Sequence, residues 1–258
     1  MSESADALTA RTLVTVTHDG RSDEVVVEEP LEIRVDGTPL AVTMRTPAHD
    51  EELALGFLYA EGLIDGPRPA GPTEDFAANI VEVSGPLLRD PAARHFYATS
   101  SCGVCGKGAL EEIAVIAPAV GPGPRVSRTL LADLPERLRQ PTFERTGGLH
   151  ATGLFSGEGE LLLVREDVGR HNAMDKVVGR ALLDGMLPLA DGILCVSGRL
   201  CFELVQKAAM AGAPVLVGVG APSSLAIELA GQRGITLAGF ARRGSVNVYT
   251  GEQRLQDS

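Results

Sequence analysis

Two cysteines three positions apart carry the clearest chemical potential in this sequence. Cys102 and Cys105 stand in the segment SSCGVCGKG, residues 100–108, just before a predicted helix. The thiolate is the reactive form of cysteine, and a helix N-terminus or a nearby cation such as Lys107 lowers the pKa of a thiol. A pair at this spacing can bind a metal, cycle through a disulfide or pass a sulfur atom between its members. The alternative is a flexible turn whose two thiols have no special role.

A structural zinc site at this pair would need further ligands. Such sites take four Cys or His ligands, but there is no second CxxC, and Cys195 and Cys201 lack the spacing of paired ligands. The histidines are scattered, at His18, His49, His95, His150 and His171. We therefore predict no metal ligands. We interpret Cys195 and Cys201 as residues that only pack, with Cys195 a small buried side chain in a strand.

Polar and basic side chains follow two predicted strands in the second half of the sequence. The segment REDVGRHNAMDK, residues 165–176, stands where a strand ends and a helix begins, and backbone N–H groups there favour anions. Arg170, His171 and Lys176 add donors to that position. Ser197-Gly198-Arg199 directly follows the next strand, at the edge where open α/β sheets bind ligands. A phosphate or carboxylate ligand fits both segments.

A third basic segment ends a later strand. Arg242 and Arg243 are adjacent in a net-acidic chain and suit a diphosphate or a guanine nucleotide. We predict that they form one basic patch at a sheet edge, together with Arg165, Arg170, Lys176 and Arg199. The alternatives are a solvated turn here and, in the segment 165–176, a helix cap made by Asp167 or Asn172.

An α/β scaffold must position these groups. Period-two runs separated by Asp-Gly predict strands and hairpins over 13–46, and helical spacing follows over 47–64. In the second half, apolar strands alternate with helices, which indicates a parallel or mixed sheet covered on both faces. The predicted strands there are 149–155, 161–164, 192–196, 214–219, 235–240 and 246–249. The predicted helices are 108–116, 130–139, 172–183, 202–211 and 223–230.

The segment APAVGPGPR, residues 117–125, has three prolines and predicts a domain boundary. We therefore predict a disordered tail over 1–12 and an N-terminal α+β domain over 13–124 that carries the CxxC. A C-terminal α/β domain then occupies 125–258.

Composition excludes several classes of protein. Of the 258 residues, 22% are charged and 44% hydrophobic, values typical of a globular protein. A net charge of −11 argues against a general nucleic-acid binder, because phosphate affinity needs clustered Lys and Arg. No apolar run approaches the roughly 20 residues that span a bilayer. The polar N-terminus lacks the regions of a secretion signal, which predicts a cytoplasmic location.

Five ordered segments together resemble the formate dehydrogenase accessory sulfurtransferase family (FdhD). They are SSCGVCGK, TGGLHATGLF, REDVGRHNAMDK, CVSGRLCFELVQKAAMAGAPVLVGVGAPSSLAIELA and GFARRGSVNVYT. The similarity extends from about the first hairpins to the C-terminus and rests on several motifs rather than one.

The resemblance implies a sulfurtransferase that takes persulfide sulfur from a cysteine desulfurase and passes it to the molybdenum bis-guanine-dinucleotide cofactor. That cofactor then enters formate dehydrogenase, the client. By motif position, the persulfide falls on Cys102 and Cys105. The family's cofactor segment corresponds to Phe240, Ala241, Arg242, Arg243, Gly244 and Ser245, beside which we place Arg170, His171, Lys176, Ser197 and Arg199. The resemblance also implies a homodimer and a cytidine-deaminase-like fold for the C-terminal part.

This chain departs from true deaminases, which use H-x-E and P-C-x-x-C around zinc. Its CxxC lies in the other half of the chain and is preceded by Ser101 rather than Pro, so we expect no stoichiometric zinc. Two alternatives to sulfur transfer stay open. One is a chaperone that delivers the cofactor without touching sulfur, and the other is a structural zinc protein whose Cys102 and Cys105 bridge two chains.

Overall fold

The computed structural model describes residues 12–73, 79–90 and 117–256. Cys102 and Cys105, and the helix predicted over 108–116, lie outside the described residues.

The N-terminal part consists of a two-stranded hairpin and a separate four-stranded sheet. Its strands are β1 (Leu13–His18), β2 (Arg21–Val26), β3 (Glu29–Val35), β4 (Thr38–Arg45), β5 (Ala70–Gly71) and β6 (Ile80–Val83). The β1–β2 hairpin turns at Asp19 and Gly20, both with positive φ, as a two-residue turn of that hand requires. The larger sheet has the order β4-β3-β6-β5, with β3 and β6 parallel. Leu31, Ile33 and Val35 alternate on the buried face of β3, where they pack against helix α1 (Asp50–Ala60).

The C-terminal part is a six-stranded mixed sheet with helices on both faces. Its strands are β7 (His150–Phe155), β8 (Leu161–Asp167), β9 (Ile193–Val196), β10 (Val215–Gly218), β11 (Thr236–Arg242) and β12 (Ser245–Thr250). The order is β12-β11-β10-β9-β7-β8, with β9, β10 and β11 parallel and the other pairs antiparallel. The helices are α2 (Arg128–Arg137), α3 (Pro141–Thr146), α4 (Arg170–Leu183), α5 (Phe202–Met210) and α6 (Ser224–Arg233).

Two apolar layers hold this sheet in place. Helices α4, α5 and α6 cover one face, and α2 covers the other with Leu131 and Leu134 beside Ile193 and Val215. The predicted α/β class and the doubly covered mixed sheet are therefore confirmed. The cytidine-deaminase-like assignment and the division into domains stay predictions.

Helices α1 and α4 cross in backbone contact and join the two parts. A Cβ on Gly56 would lie 1.8 Å from the carbonyl oxygen of Asp175, and one on Gly179 would lie 1.8 Å from that of Glu52. Only glycine fits at such a crossing, because any side chain would overlap the opposite backbone.

No helix within the described ranges is long and apolar enough to span a bilayer.

Candidate functional site

Two turns and a strand bulge meet at the carboxyl edge of the parallel strands. The Gly220 N–H, after β10, donates to the Gly198 carbonyl, after β9, at 2.9 Å. The Phe240 N–H, in β11, donates to the Gly220 carbonyl at 3.2 Å. Gly220 lies so close to the first turn that a Cβ there would be 2.9 Å from the Cα of Arg199. The edge predicted to bind a ligand is thus one hydrogen-bonded row of backbone.

Phe240 has an unusual backbone conformation at this edge. Its φ is +55°, and it lies in an irregularity of the β11–β12 ladder between Gly239 and Arg242. Its side chain is 39% exposed, while the neighbouring Ala241 is fully buried in the core. A bulge of this kind re-aims a side chain, and strained residues of this kind cluster at functional sites. Phe240 therefore offers a ring to a ligand, whereas Ala241 offers only backbone.

The remainder of the predicted cofactor segment forms the β11–β12 turn. Arg242 pairs with Ser245, and Arg243 and Gly244 between them have φ values of +49° and +73°. All four residues are exposed. Their exposure leaves both guanidinium groups open to an anionic ligand from solvent.

Four basic side chains lie together at the adjacent turns: His150, Arg170, His171 and Arg199. Burial lowers the pKa of His150, and the charges of Arg170, His171 and Arg199 lower it further. A Cβ on Gly198 would be 3.3 Å from His150 Nδ1 and 3.9 Å from Arg170 Cδ. Within the described part of the chain, the buried Nε of Arg170 has no hydrogen-bond partner. Arg170 and Arg199 are thus placed to contact an anion.

Two predicted members of the basic patch serve the fold instead. The Lys176 ammonium is buried, 2.6 Å from the Asp167 carboxylate, and donates to the Thr46 carbonyl at 2.9 Å. Arg165 donates two hydrogen bonds to Glu52. The structure does not bring these two cations to the exposed edge, because each has a carboxylate partner inside the protein.

The Ser197 hydroxyl also has a partner within the protein. It accepts a hydrogen bond from the Ala151 N–H at 2.9 Å, which ties the turn after β9 to strand β7. Ser197 therefore shapes the edge through this bond.

His171 joins Cys201 and Glu203 in a cluster where α4 and α5 begin. The Nε2 atom of His171 lies 3.1 Å from Cys201 Sγ and 2.8 Å from Glu203 Oε2. The interpretation of Cys201 as a residue that only packs is wrong, because the sheet brings the starts of two helices together. The sequence held a signal for this cluster: polar residues at the start of α4, and Cys-x-Glu at the start of α5. Cys195, by contrast, is fully buried as predicted.

The three side chains of the cluster shift one another's pKa values. Burial alone would lower the pKa of His171, but Cys201 and Glu203 raise it to about 9. Burial alone would raise the pKa of the Cys201 thiol, but the hydrogen bond and charge of His171 leave that pKa lowered. The hydrogen bond from His171 lowers the pKa of Glu203 as well. The thiol is thus more readily ionised than an ordinary cysteine.

Comparison with known proteins places the chain in a family. The sequence model of the FdhD/NarQ family matches residues 26–256. A "Sulfur carrier protein FdhD" of Streptomyces coelicolor is 52% identical, with 96% of each chain covered. The protein of the same name from Saccharolobus solfataricus is 45% identical, with 91% of each chain covered. A crystal structure of a protein assigned as a formate dehydrogenase accessory protein, from Desulfotalea psychrophila, matches with a TM-score of 0.73 and 25% identity, covering 95% of this chain and 97% of that one.

Proposed function

This chain belongs to the FdhD/NarQ family, and on that premise we propose that it transfers persulfide sulfur to a molybdenum bis-guanine-dinucleotide cofactor. The sulfur comes from a cysteine desulfurase, and the sulfurated cofactor serves formate dehydrogenase. The names of the relatives support the sulfur-carrying part and the formate dehydrogenase client. The cofactor is the substrate here rather than a resident group of the protein.

One observation carries the binding half of the proposal. The turns after β9 and β10 and the bulge at Phe240 form one row at the carboxyl edge, with Arg170 and Arg199 beside it. A diphosphate needs clustered donors, and guanidinium groups bind phosphate oxygens in pairs. Such a cluster in a chain with a net charge of −11 supports a specific anion site rather than general polyanion affinity.

The described residues have distinct roles in holding this substrate. Arg242 and Arg243 reach the phosphates from the exposed turn, and Arg170 and Arg199 approach from the adjacent edge. The exposed ring of Phe240 stacks on the planar base of a guanine nucleotide, as aromatic rings do on nucleobases. Ser197 keeps the turn after β9 in position, and the buried Ala241 holds the end of β11 against the core.

The sulfur steps belong to the CxxC pair. A thiolate of Cys102 or Cys105 attacks the outer sulfur of the donor persulfide, and a new S–S bond forms as the old one breaks and the donor leaves as a thiolate. The other cysteine then attacks the Sγ atom of the persulfide-bearing cysteine. The disulfide between the two cysteines forms as the persulfide S–S bond breaks, and the outer sulfur leaves as hydrosulfide, which the substrate takes up. A thiol reductant reopens the disulfide before the next cycle.

The remaining features of the proposal follow from family membership. We place the protein in the cytoplasm as a homodimer, with a cytidine-deaminase-like C-terminal part. Neither nucleic acid nor membrane is among its proposed partners.

Mass spectrometry of the CxxC peptide tests the sulfur step. The protein is incubated with a cysteine desulfurase and L-cysteine, and the mass of the peptide that contains Cys102 and Cys105 is then measured. We expect an adduct with the mass of one sulfur atom, lost in Cys102→Ala/Cys105→Ala. Absence of any adduct overturns sulfur transfer. If the double variant leaves the client dehydrogenase fully active, the protein is a cofactor chaperone instead.

A further inference from the structure

The His171, Cys201 and Glu203 cluster is outside the sulfur-transfer pair and is not required by the proposed function. We propose that these three side chains form a binding site for Zn²⁺. Their ligand atoms all lie within 4.8 Å of one another, the one such group of three among the described residues. The sequence predicted no zinc because it offered only paired-cysteine spacing, whereas this set joins residues 30 positions apart.

The direction of the contacts distinguishes a cation site from a catalytic relay. In a relay, the thiol and the carboxylate contact opposite nitrogens of the imidazole ring. Here Cys201 Sγ and Glu203 Oε2 both contact Nε2, at 3.1 and 2.8 Å. Three ligand atoms that lie this close together, with both contacts made to the same ring nitrogen, can share a single cation.

The spacing is close to what a tetrahedral ion needs. Bonds of about 2.3 Å to sulfur and about 2.0 Å to nitrogen and oxygen place ligand atoms roughly 3.3–3.6 Å apart. Cys201 Sγ and Glu203 Oε2 are 3.9 Å apart, and the two contacts of His171 are somewhat shorter than the ideal. Shifts of about half an ångström in these side chains reach the tetrahedral geometry.

The donor set selects the metal. Thiolate and imidazole favour Zn²⁺ over Mg²⁺ and Ca²⁺, which take oxygen ligands. A thiolate and a carboxylate together carry two negative charges, so one divalent ion neutralises the site when His171 is neutral. The buried Lys207, one turn beyond Glu203, is itself paired with Asp175 at 2.7 Å, and Arg170 is a second nearby cation among the described residues.

Helix starts hold the three ligands, and solvent reaches them. Cys201 is the N-cap of α5 and Glu203 lies in its first turn, while His171 is the second residue of α4. The side chains of His171 and Glu203 are 28% and 33% exposed. A three-ligand site open to solvent leaves a fourth position for water or a thiol, as in zinc sites that act on ligands rather than only stabilise the fold.

Metal binding to the full chain tests this site. The variant Cys102→Ser/Cys105→Ser removes the competing thiols, and it is titrated under reducing conditions with Zn²⁺ and, separately, with Co²⁺. We expect one equivalent of Zn²⁺ and a thiolate-to-cobalt charge-transfer band in the near ultraviolet. Because changes around a metal ligand alone cost about 10- to 100-fold in affinity, Cys201→Ser, His171→Gln or Glu203→Gln in this background costs at least tenfold.

Cys195→Ala in the same background is the matched control, and it keeps both the stoichiometry and the band, since Cys195 lies buried in a strand. Zn²⁺ should also raise the unfolding temperature of the background protein and not that of Cys201→Ser. The site is overturned if the background binds no Zn²⁺, or if Cys201→Ser and Glu203→Gln both keep its affinity and its cobalt spectrum. These readouts do not involve sulfur transfer, so they stand or fall separately from the proposed function.

Discussion

Glu52 and Arg165 form a two-point ion pair that ties helix α1 to strand β8. Arg165 Nε and one terminal nitrogen donate to the two carboxylate oxygens of Glu52 at 2.6 and 2.9 Å. The Glu52 side chain is only 9% exposed, so water does little to weaken the pair. The pair stands beside the glycine crossing of α1 and α4 and connects the two parts of the fold at a second point.

The pH dependence of stability follows from this pair. Burial alone would raise the pKa of Glu52, but Arg165 and His49 lower it from 4.5 to about 2. A carboxyl whose pKa is lower in the folded state stabilises the protein above its unfolded pKa, and loses that contribution as the pH falls. We expect Glu52→Gln to cost about 3–5 kcal/mol of unfolding free energy at neutral pH. Denaturant titrations should show the difference shrinking as the pH falls from 4.5 toward 2.

Glu24→Gln is the matched control for that measurement. Glu24 also pairs with an arginine, Arg145, but both side chains are more than a third exposed. Exposed pairs contribute about 0–1 kcal/mol, so the control should change little at any pH. If the unfolding free energies of wild type and Glu52→Gln differ by the same amount at every pH, the lowered pKa of Glu52 is contradicted.

The elements of the large sheet could be predicted from the sequence, while the partners of its charged residues could not. Apolar runs gave β9, β10 and β11, because strands buried on both faces leave a continuous signal. The short helix α3 was missed, since its six residues make fewer than two turns and show no period. Arg165 and Lys176 were predicted to contact a ligand. Instead they pair with Glu52 and Asp167, because tertiary packing places those carboxylates beside them. Glu52 is 113 positions from Arg165, beyond the reach of local pattern.

The crossing of α1 and α4 should not tolerate a methyl group. In Gly56→Ala, the new Cβ would lie 1.8 Å from the Asp175 carbonyl oxygen, so the helices must separate. Overpacking of this kind costs about 3 kcal/mol. Gly66→Ala is the control, because a Cβ there meets nothing within 4 Å. Thermal unfolding of both variants checks the prediction, and equal unfolding temperatures would refute the close crossing.

Arg242 should contribute to guanine-nucleotide affinity. Its guanidinium is exposed at the end of β11, and hydrogen bonds to charged groups contribute about 1.5–3 kcal/mol. We expect Arg242→Ala to weaken GDP binding by roughly 10- to 150-fold in calorimetry. Arg128→Ala, at the exposed start of α2, should bind GDP as the wild type does. Unchanged affinity in Arg242→Ala would move the pocket elsewhere.

Gly220 should matter for the same binding without touching the ligand. It donates to Gly198 and accepts from Phe240, and a Cβ would lie 2.9 Å from the Cα of Arg199. Gly220→Ala must therefore push the turn after β9 away from β11 and separate Arg199 from Phe240. We expect GDP affinity to fall by about tenfold, or ~1.4 kcal/mol, in a protein that stays folded. Gly121→Ala, where a Cβ meets nothing within 4 Å, is the control. Wild-type affinity in Gly220→Ala would mean that the ligand uses Arg242 and Arg243 alone, without the neighbouring turns.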